Sequence, residues 1–297
     1  MKPILFDLGG ITFPAYMTFI LIGFLVAIWL ARREAETLGL PGEKVVDLGI
    51  AMLVFGVLGA RILAVLTDGM LDDFIHLCTE PKLVQAVDAR VLYCTADAQC
   101  GFDYLCNADT NTCYPPRDCF AAIKFWQGGL TYYGGFILAV PMGFYLARRW
   151  RLGAMRMADL GAPFTMIGLF FGRIGCFFNG CCYGGRTDSF LGMTFPPHQT
   201  RPSVPLHPTQ LYEAVAVLAI AAFLYYVVRP RQKGQGEMFG WLLILYSLWR
   251  FNVEWLRIDA RGSLGPLSTS QLISIPLIAL GGWLVWRARR PAAKLTE

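Results

Sequence analysis

The chain has 297 residues, of which 55% are hydrophobic and only 16% charged. Soluble domains carry closer to a quarter charged residues, and long apolar runs make the difference here, which excludes one polar-skinned core in water. The formal charge of +5 would point to acidic partners such as nucleic acid in a soluble protein; with long apolar runs it reports basic loops on one membrane face instead, and no nucleic-acid partner is expected.

The first apolar run is expected to be a retained helix. Lys2 is followed by Asp7 and a glycine pair, and no small-residue cleavage site follows. Apolar spans are predicted at 11–31, 46–66, 128–147, 158–178, 207–228, 237–256 and 270–287. Each approaches the ~20 residues that a bilayer crossing needs. The expected fold is an all-α polytopic membrane protein with seven transmembrane helices, a single membrane domain over 1–297.

Between the second and third spans lies an insertion at 68–123 with Cys78, Cys94, Cys100, Cys106, Cys113 and Cys119. An even number of cysteines at short, mostly polar spacings reads as a disulfide-stapled module on an oxidising face, with fifteen possible pairings. A zinc site is the rival reading, although no C-x-x-C occurs and only His76 is near.

Orientation follows from the short connections. One side collects Arg32, Arg33 and Lys44, then Arg148, Arg149, Arg151 and Arg156, then Arg229, Arg231 and Lys233, then Arg287, Arg289, Arg290 and Lys294. The other side holds Lys2, Arg186, Arg201, Arg257 and Arg261, with a few more in the insertion. The positive-inside rule makes the first side cytoplasmic. The N-terminus is then outside and the C-terminus inside, which an odd number of crossings satisfies.

Three arginines, Arg61, Arg173 and Arg250, fall inside spans. They lie roughly 13 to 16 residues from the cytoplasmic ends, or about 20–24 Å at 1.5 Å per residue. That places them in the outer third of a hydrocarbon core ~30 Å thick. Tyr16, Tyr133, Tyr212 and Glu213, counted from the outer ends, reach the same layer, and Glu254 stands one helical turn from Arg250. Arg257 is nearly another turn onward. Simple helix-locking ion pairs are one reading, yet three arginines share only Glu213 and Glu254. The surplus positive charge suits a lipid phosphate, which arginine binds with its planar donor fork. The double-glycine segment Gly128, Gly129, Gly134 and Gly135 either lets helices approach or offers backbone N–H groups to a headgroup.

The stretch Gly172-Arg173-Ile174-Gly175-Cys176-Phe177-Phe178-Asn179-Gly180-Cys181-Cys182-Tyr183-Gly184 resembles the signature of the bacterial prolipoprotein diacylglyceryl transferases. That signature runs Gly-Arg-x-Gly-Asn-Phe-x-Asn-x-Glu, followed by an aromatic residue and Gly. Ala158-Asp159 and Ala162-Pro163, Gly59-Ala60-Arg61, the segment 128–135, His207 to Glu213 and Arg250 to Arg257 extend the resemblance over nearly the whole chain outside the insertion. It implies transfer of diacylglyceryl from phosphatidylglycerol to the lipobox cysteine of preprolipoprotein signal peptides. A thioether forms and glycerol phosphate leaves. It also implies a multi-pass protein of the bacterial inner membrane, with its site towards the outer leaflet and with no metal or other cofactor; nothing in the sequence demands more than a monomer.

By that resemblance Arg173, Arg250, Tyr133 and Glu213 are the expected catalytic residues. Arg61, Tyr16, Gly128, Gly129, Gly134, Gly135, Asn179, Gly175, His207, Tyr212, Glu254 and Arg257 are the expected substrate-binding residues. This chain departs from the family where the chemistry is concentrated. Tyr133 stands where many members have His, and Cys176 and Cys181 stand where the signature has Asn and Glu. A phenol with a pKa near ~10 is a poor base without help, so Glu213 and His207 are rival bases, His207 also being a candidate helix cap. Cys176, Cys181 and Cys182 admit three readings: small semi-polar packing, a metal site, or a thiol–disulfide exchanger. A divergent paralogue that binds or transports phospholipid, or that lipidates another acceptor, is the alternative to the transferase.

Overall fold

A computed structural model describes residues 4–8, 11–67, 70–84, 94–100, 104–107, 109–124, 131–195, 204–257, 263–264 and 267–290. It is helical throughout its long segments. A hairpin of β1 (Ile4–Leu8) and β2 (Ile11–Pro14) leads into α1 (Ala15–Thr37). Then follow α2 (Gly42–Thr67), α3 (Met70–Thr79), the short α4 (Asp97–Cys100), and the hairpin of β3 (Leu105–Asn107) and β4 (Thr112–Tyr114). The remaining elements are α5 (Tyr132–Arg149), α6 (Ala154–Asn179), α7 (Thr209–Ala222), α8 (Glu237–Val253), the pair β5 (Ser263–Leu264) and β6 (Leu267–Ser268), and α9 (Thr269–Arg289).

Among the described residues, five helical segments are long and apolar enough to cross a membrane: Ala15–Thr37, Gly42–Leu66, Ala154–Asn179, Thr209–Arg231 and Thr269–Arg289. The other two expected spans correspond to α5 and α8, of 18 and 17 residues. Boundaries shift in physically readable ways. The span expected from residue 11 starts at Ala15, because Ile11–Pro14 pairs with β1 and Pro14 supplies an extended N-cap. The span expected to reach 256 leaves α-helical geometry at Val253 and tightens into a 3₁₀ turn, Glu254–Leu256. Along α1, Met17, Leu21, Leu25 and Trp29 form an exposed stripe of period four. Such a stripe is an aggregation liability in water and ordinary in lipid.

The chain divides into two compact units, one of residues 1–46 and 147–297, the other of residues 47–146. In the first unit, α6 packs on α1 where Gly23 meets Phe171 and Gly168, and where Gly175 lies against the Tyr16 backbone. Without Cβ atoms there, the backbones come close enough for dispersion contacts to hold the pair. Gly240 and Gly281 play the same part between α8 and α9. Ser268 caps α9 in a complete capping box with Gln271. Where α6 begins, the Asp159 carboxylate accepts from Gln232 Nε2 at 2.8 Å, the Gly236 N–H at 2.6 Å and the Phe239 N–H at 2.8 Å. It therefore caps α8 from a neighbouring helix. Around the same end, Arg229 pairs with Glu34 and Arg289 Nε meets the fully buried Glu237 at 2.6 Å.

In the second unit, α2 and α5 meet through Gly59 and Gly134, where either added Cβ would strike the other's backbone carbonyl. The cysteine insertion is closed by Cys78–Cys119, Cys94–Cys106 and Cys100–Cys113, which resolves the open pairing and removes the zinc alternative for these six. In the chain-entropy picture, loops of these lengths contribute roughly 3–4 kcal/mol each. Beside the 3₁₀ turn Ala121–Ile123, Lys124 reaches Asp118 at 2.5 Å and holds its carboxyl below the usual range.

Candidate active site

Two of the three arginines expected in one layer, Arg173 and Arg250, lie in the first unit, on α6 and α8. Arg173 lies about five turns into α6, and its Nη2 lies 3.0 Å from Glu213 Oε1 on α7. Glu213 has no exposed surface, and Tyr246 of α8 donates its hydroxyl to the same Oε1 at 3.1 Å. Three helices thus contribute one charge, one countercharge and one neutral donor. Two atoms of this group lack a protein partner: Arg173 Nε and Glu213 Oε2 are both buried and unmatched among the described residues. A buried charge-bearing donor without an acceptor costs on the order of 1–3 kcal/mol. An anionic oxygen entering the site would remove that cost at Arg173.

Arg250 follows Tyr246 by one turn on α8 and Glu254 follows Arg250 by another. Arg250 Nη1 lies 2.8 Å from Glu254 Oε2, and its Nη2 donates to Ser270 Oγ at the start of α9 at 3.0 Å. Both side chains of the pair are largely buried. Each arginine therefore has a carboxylate beside it, as the helix-locking reading anticipates. Neither pairing is bidentate, so each guanidinium keeps donor capacity.

Beyond Arg173, α6 ends as its sequence dictates. Gly180 adopts the left-handed conformation (φ 69°), and the Cys181 N–H closes on the Cys176 carbonyl at 3.1 Å, the usual way a helix stops at glycine. Cys182 is also left-handed, φ 66°, without being glycine. Its carbonyl accepts from Thr209 Oγ1 at 2.7 Å, and the Cys181 carbonyl accepts from Gln210 Nε2 at 2.6 Å. Thr209 and Gln210 are buried, so the start of α7 clamps this loop. Gly184 and Gly185 continue the clamp: the Gly184 N–H donates to the His207 carbonyl and the Gly185 N–H to the Leu256 carbonyl, each at 2.8 Å. A Cβ at Gly184 would strike the Leu256 carbonyl, so no other residue fits there. This brings Arg257 against Cys182.

The thiol sulfurs of Cys176, Cys181 and Cys182 all lie within 4.8 Å of one another, and none is in a disulfide. The group lies close to Arg173 and to Tyr16 on α1. Its chemical capacity is that of a soft-metal or redox site.

The other expected site residues fall into distinct places. Gly175 brings the Tyr16 backbone onto α6, and Asn179 is exposed on its last turn. His207 does not cap α7, whose N-cap is Pro208; His207 Nδ1 lies 3.3 Å from the Tyr212 hydroxyl instead. In the second unit, Tyr133 is 39% exposed on α5, while Gly134 and Gly135 face Gly59 and Gly56 of α2, a contact that by itself requires small residues. Arg61 donates through Nε to the Ala122 carbonyl at 2.8 Å and through Nη2 to the Ala121 carbonyl at 2.7 Å, and it stacks over Phe74. Gly128 and Gly129 lie outside the described residues.

Tyr246, Gln210 and Ser270 were not singled out by sequence. Tyr246 had a usable signal, being one turn before Arg250 as Glu254 is one turn after. Gln210 sits one turn before Glu213 on the same face. Ser270 carries no comparable mark.

The family model described as prolipoprotein diacylglyceryl transferase matches residues 3–287. Relatives named phosphatidylglycerol–prolipoprotein diacylglyceryl transferase include one from Nitratidesulfovibrio vulgaris, 32% identical over 96% of this chain and 94% of its own length. Another, from Geobacter sulfurreducens, is 31% identical over 95% and 93%. A third, from Clostridium tetani, is 28% identical over 95% of both chains.

Proposed function

The chain belongs to the prolipoprotein diacylglyceryl transferase family, and from that premise we propose how its site works. It is an enzyme that moves diacylglyceryl from phosphatidylglycerol to the lipobox cysteine of a preprolipoprotein. The observation that carries the site assignment is Arg173, held buried by Glu213 and Tyr246 with its Nε unmatched. A headgroup phosphate supplies the missing acceptor. As the glyceryl carbon–oxygen bond breaks, charge grows on that phosphate, and a donor fixed in advance stabilises it most at that moment.

Arg250, turned by Ser270 and Glu254, is the second donor in this scheme. Glu213 keeps Arg173 charged and oriented. Tyr16, Gly175, Asn179, His207, Tyr212 and Arg257 form the surrounding wall on the first unit. For Tyr133 and Arg61, on the second unit, the assignment rests on the resemblance, as it does for Gly128, Gly129, Gly134 and Gly135. Arg61 would meet a headgroup only by exchanging its two loop carbonyls.

Seven crossings with the N-terminus outside are supported by seven long helices and by the arginines gathered where α1, α7 and α9 end and α6 begins. The site then faces the outer leaflet of the bacterial inner membrane. The membrane domain runs through 1–297 as a monomer, interrupted by the stapled insertion at 68–123. Purified protein given phosphatidylglycerol and a lipobox peptide should yield thioether-linked peptide and glycerol phosphate. Lipid binding with no product, where another family member reacts, would favour the binding paralogue.

A further inference from the structure

The thiol group at the end of α6 has more order than packing requires. Two thiols follow one another in a loop whose second member holds a left-handed conformation that costs a non-glycine residue on the order of 1–3 kcal/mol. The cost is met by the clamp from Thr209 and Gln210. The result is that a residue five positions back, on the helix, shares one small volume with both loop thiols. Three sulfurs around one zinc ion at ~2.3 Å bonds stand about 4 Å apart. Those of Cys176, Cys181 and Cys182 are already within 4.8 Å, so sub-ångström movements close the site. The other close cysteine trio, Cys94, Cys100 and Cys106, is consumed by disulfides. Three thiolates on a divalent ion leave one net negative charge, and Arg173 and Arg257 lie close enough to balance it.

We propose that Cys176, Cys181 and Cys182 bind a zinc ion whose fourth position takes the acceptor cysteine thiol. No fourth His, Cys, Asp or Glu joins the group among the described residues, and three protein ligands with an open position is the arrangement of catalytic rather than structural zinc. The site answers a chemical need of the proposed reaction. Tyr133 occupies the place of the family's usual histidine, and a thiol with a pKa of about 8.5 needs help to attack at neutral pH. A thiol that coordinates zinc is deprotonated outright. Its proton passes to water as the sulfur enters the fourth position. A sulfur electron pair then forms the C–S bond to the glyceryl carbon, the C–O bond breaks, and that pair leaves on the phosphate beside Arg173. Zinc stays divalent throughout.

The acceptor's identity rests on the transferase reading; the metal site does not. The full-length protein, purified in detergent without chelator, should carry one zinc per chain. Cys176→Ser and Cys182→Ser should each lower zinc affinity by on the order of 10–100-fold or more. Cobalt exchanged for zinc should give sulfur-to-metal charge-transfer bands in the wild type, and these should shift on adding a lipobox peptide but not its Cys→Ser analogue. Absence of stoichiometric zinc with no rebinding, a Cys176–Cys181 or Cys176–Cys182 disulfide in the purified protein, monovalent copper in its place, or cobalt bands blind to the peptide would each overturn the proposal. Zinc-stripped protein that still transfers at full rate would overturn it while leaving the transferase reading intact. Peptide-responsive cobalt in a protein that makes no product would do the reverse.

Discussion

The two ends of α6 carry buried acidic–basic chemistry of opposite character. Asp159 near the start is surrounded by donors, two of them backbone N–H groups at the beginning of α8. About 21 Å along the same helix, at 1.5 Å per residue, Arg173 has one carboxylate oxygen and an unmatched Nε. Both residues are expensive to bury. A fully matched group contributes to holding helices together, whereas a group left one partner short is poised for something that arrives from outside. Burial alone does not separate Asp159 from Arg173; the hydrogen bonding around each of them does.

Mutations can break that contrast. The largest effect is expected for Arg173→Ala, which should cut transfer by on the order of 10²–10³-fold, the scale for losing a preorganised transition-state donor. Arg250→Ala should act in the same direction, with product formation against intact fold as the readout. Asp159→Ala should instead lower stability by roughly 2–5 kcal/mol, since it strands several buried donors. Its measure is thermal unfolding in detergent, with turnover per folded molecule retained. Tyr246→Phe removes one donor from Glu213, a hydrogen bond to a charged group of about 1.5–3 kcal/mol, and should lower melting by less than Asp159→Ala while slowing transfer by less than Arg173→Ala. The smallest effect on catalysis is expected for Cys78→Ser with Cys119→Ser. That pair should destabilise the insertion by roughly 3–4 kcal/mol without altering the Arg173 site, as read by protease sensitivity of residues 68–123.

Much of this division could be read from the residues. Long apolar runs anticipated long helices, five of which, among the described residues, are long and apolar enough to cross a bilayer. Gly180 at the end of α6, and Ser268 with Gln271 at the start of α9, carry local stop and start signals of the kind a sequence shows. Depth counting put Arg173 and Glu213 in one layer without pairing them, and i,i+4 spacing set Arg250 against Glu254; both contacts exist. What could not be read was tertiary. Asp159 was quoted only as part of a motif, since nothing local says that its partners are the N–H groups of a helix some 80 residues later. Nor does anything local say that Arg61, expected in the phosphate layer, also donates to carbonyls of a loop sixty residues away. The three thiols stayed open between packing, a metal site and a thiol–disulfide exchanger, because their sequence spacing, five and one, does not resemble a metal motif. Their convergence depends on the left-handed turn at Cys182 and on the clamp from α7, neither of which has a sequence mark of its own.

The contrast between the two ends of α6 is tested most directly by lipid-dependent stabilisation. Thermal unfolding should be followed in detergent with and without phosphatidylglycerol for the wild type, Arg173→Lys and Asp159→Asn. Ligand stabilisation follows affinity by mass action. The wild type and Asp159→Asn should both gain melting temperature on adding the lipid, from different baselines. Arg173→Lys, which keeps the charge but loses the Nε donor and the planar fork, should lose most of that gain. An undiminished lipid shift in Arg173→Lys would contradict the assignment of the unmatched guanidinium to the phosphate.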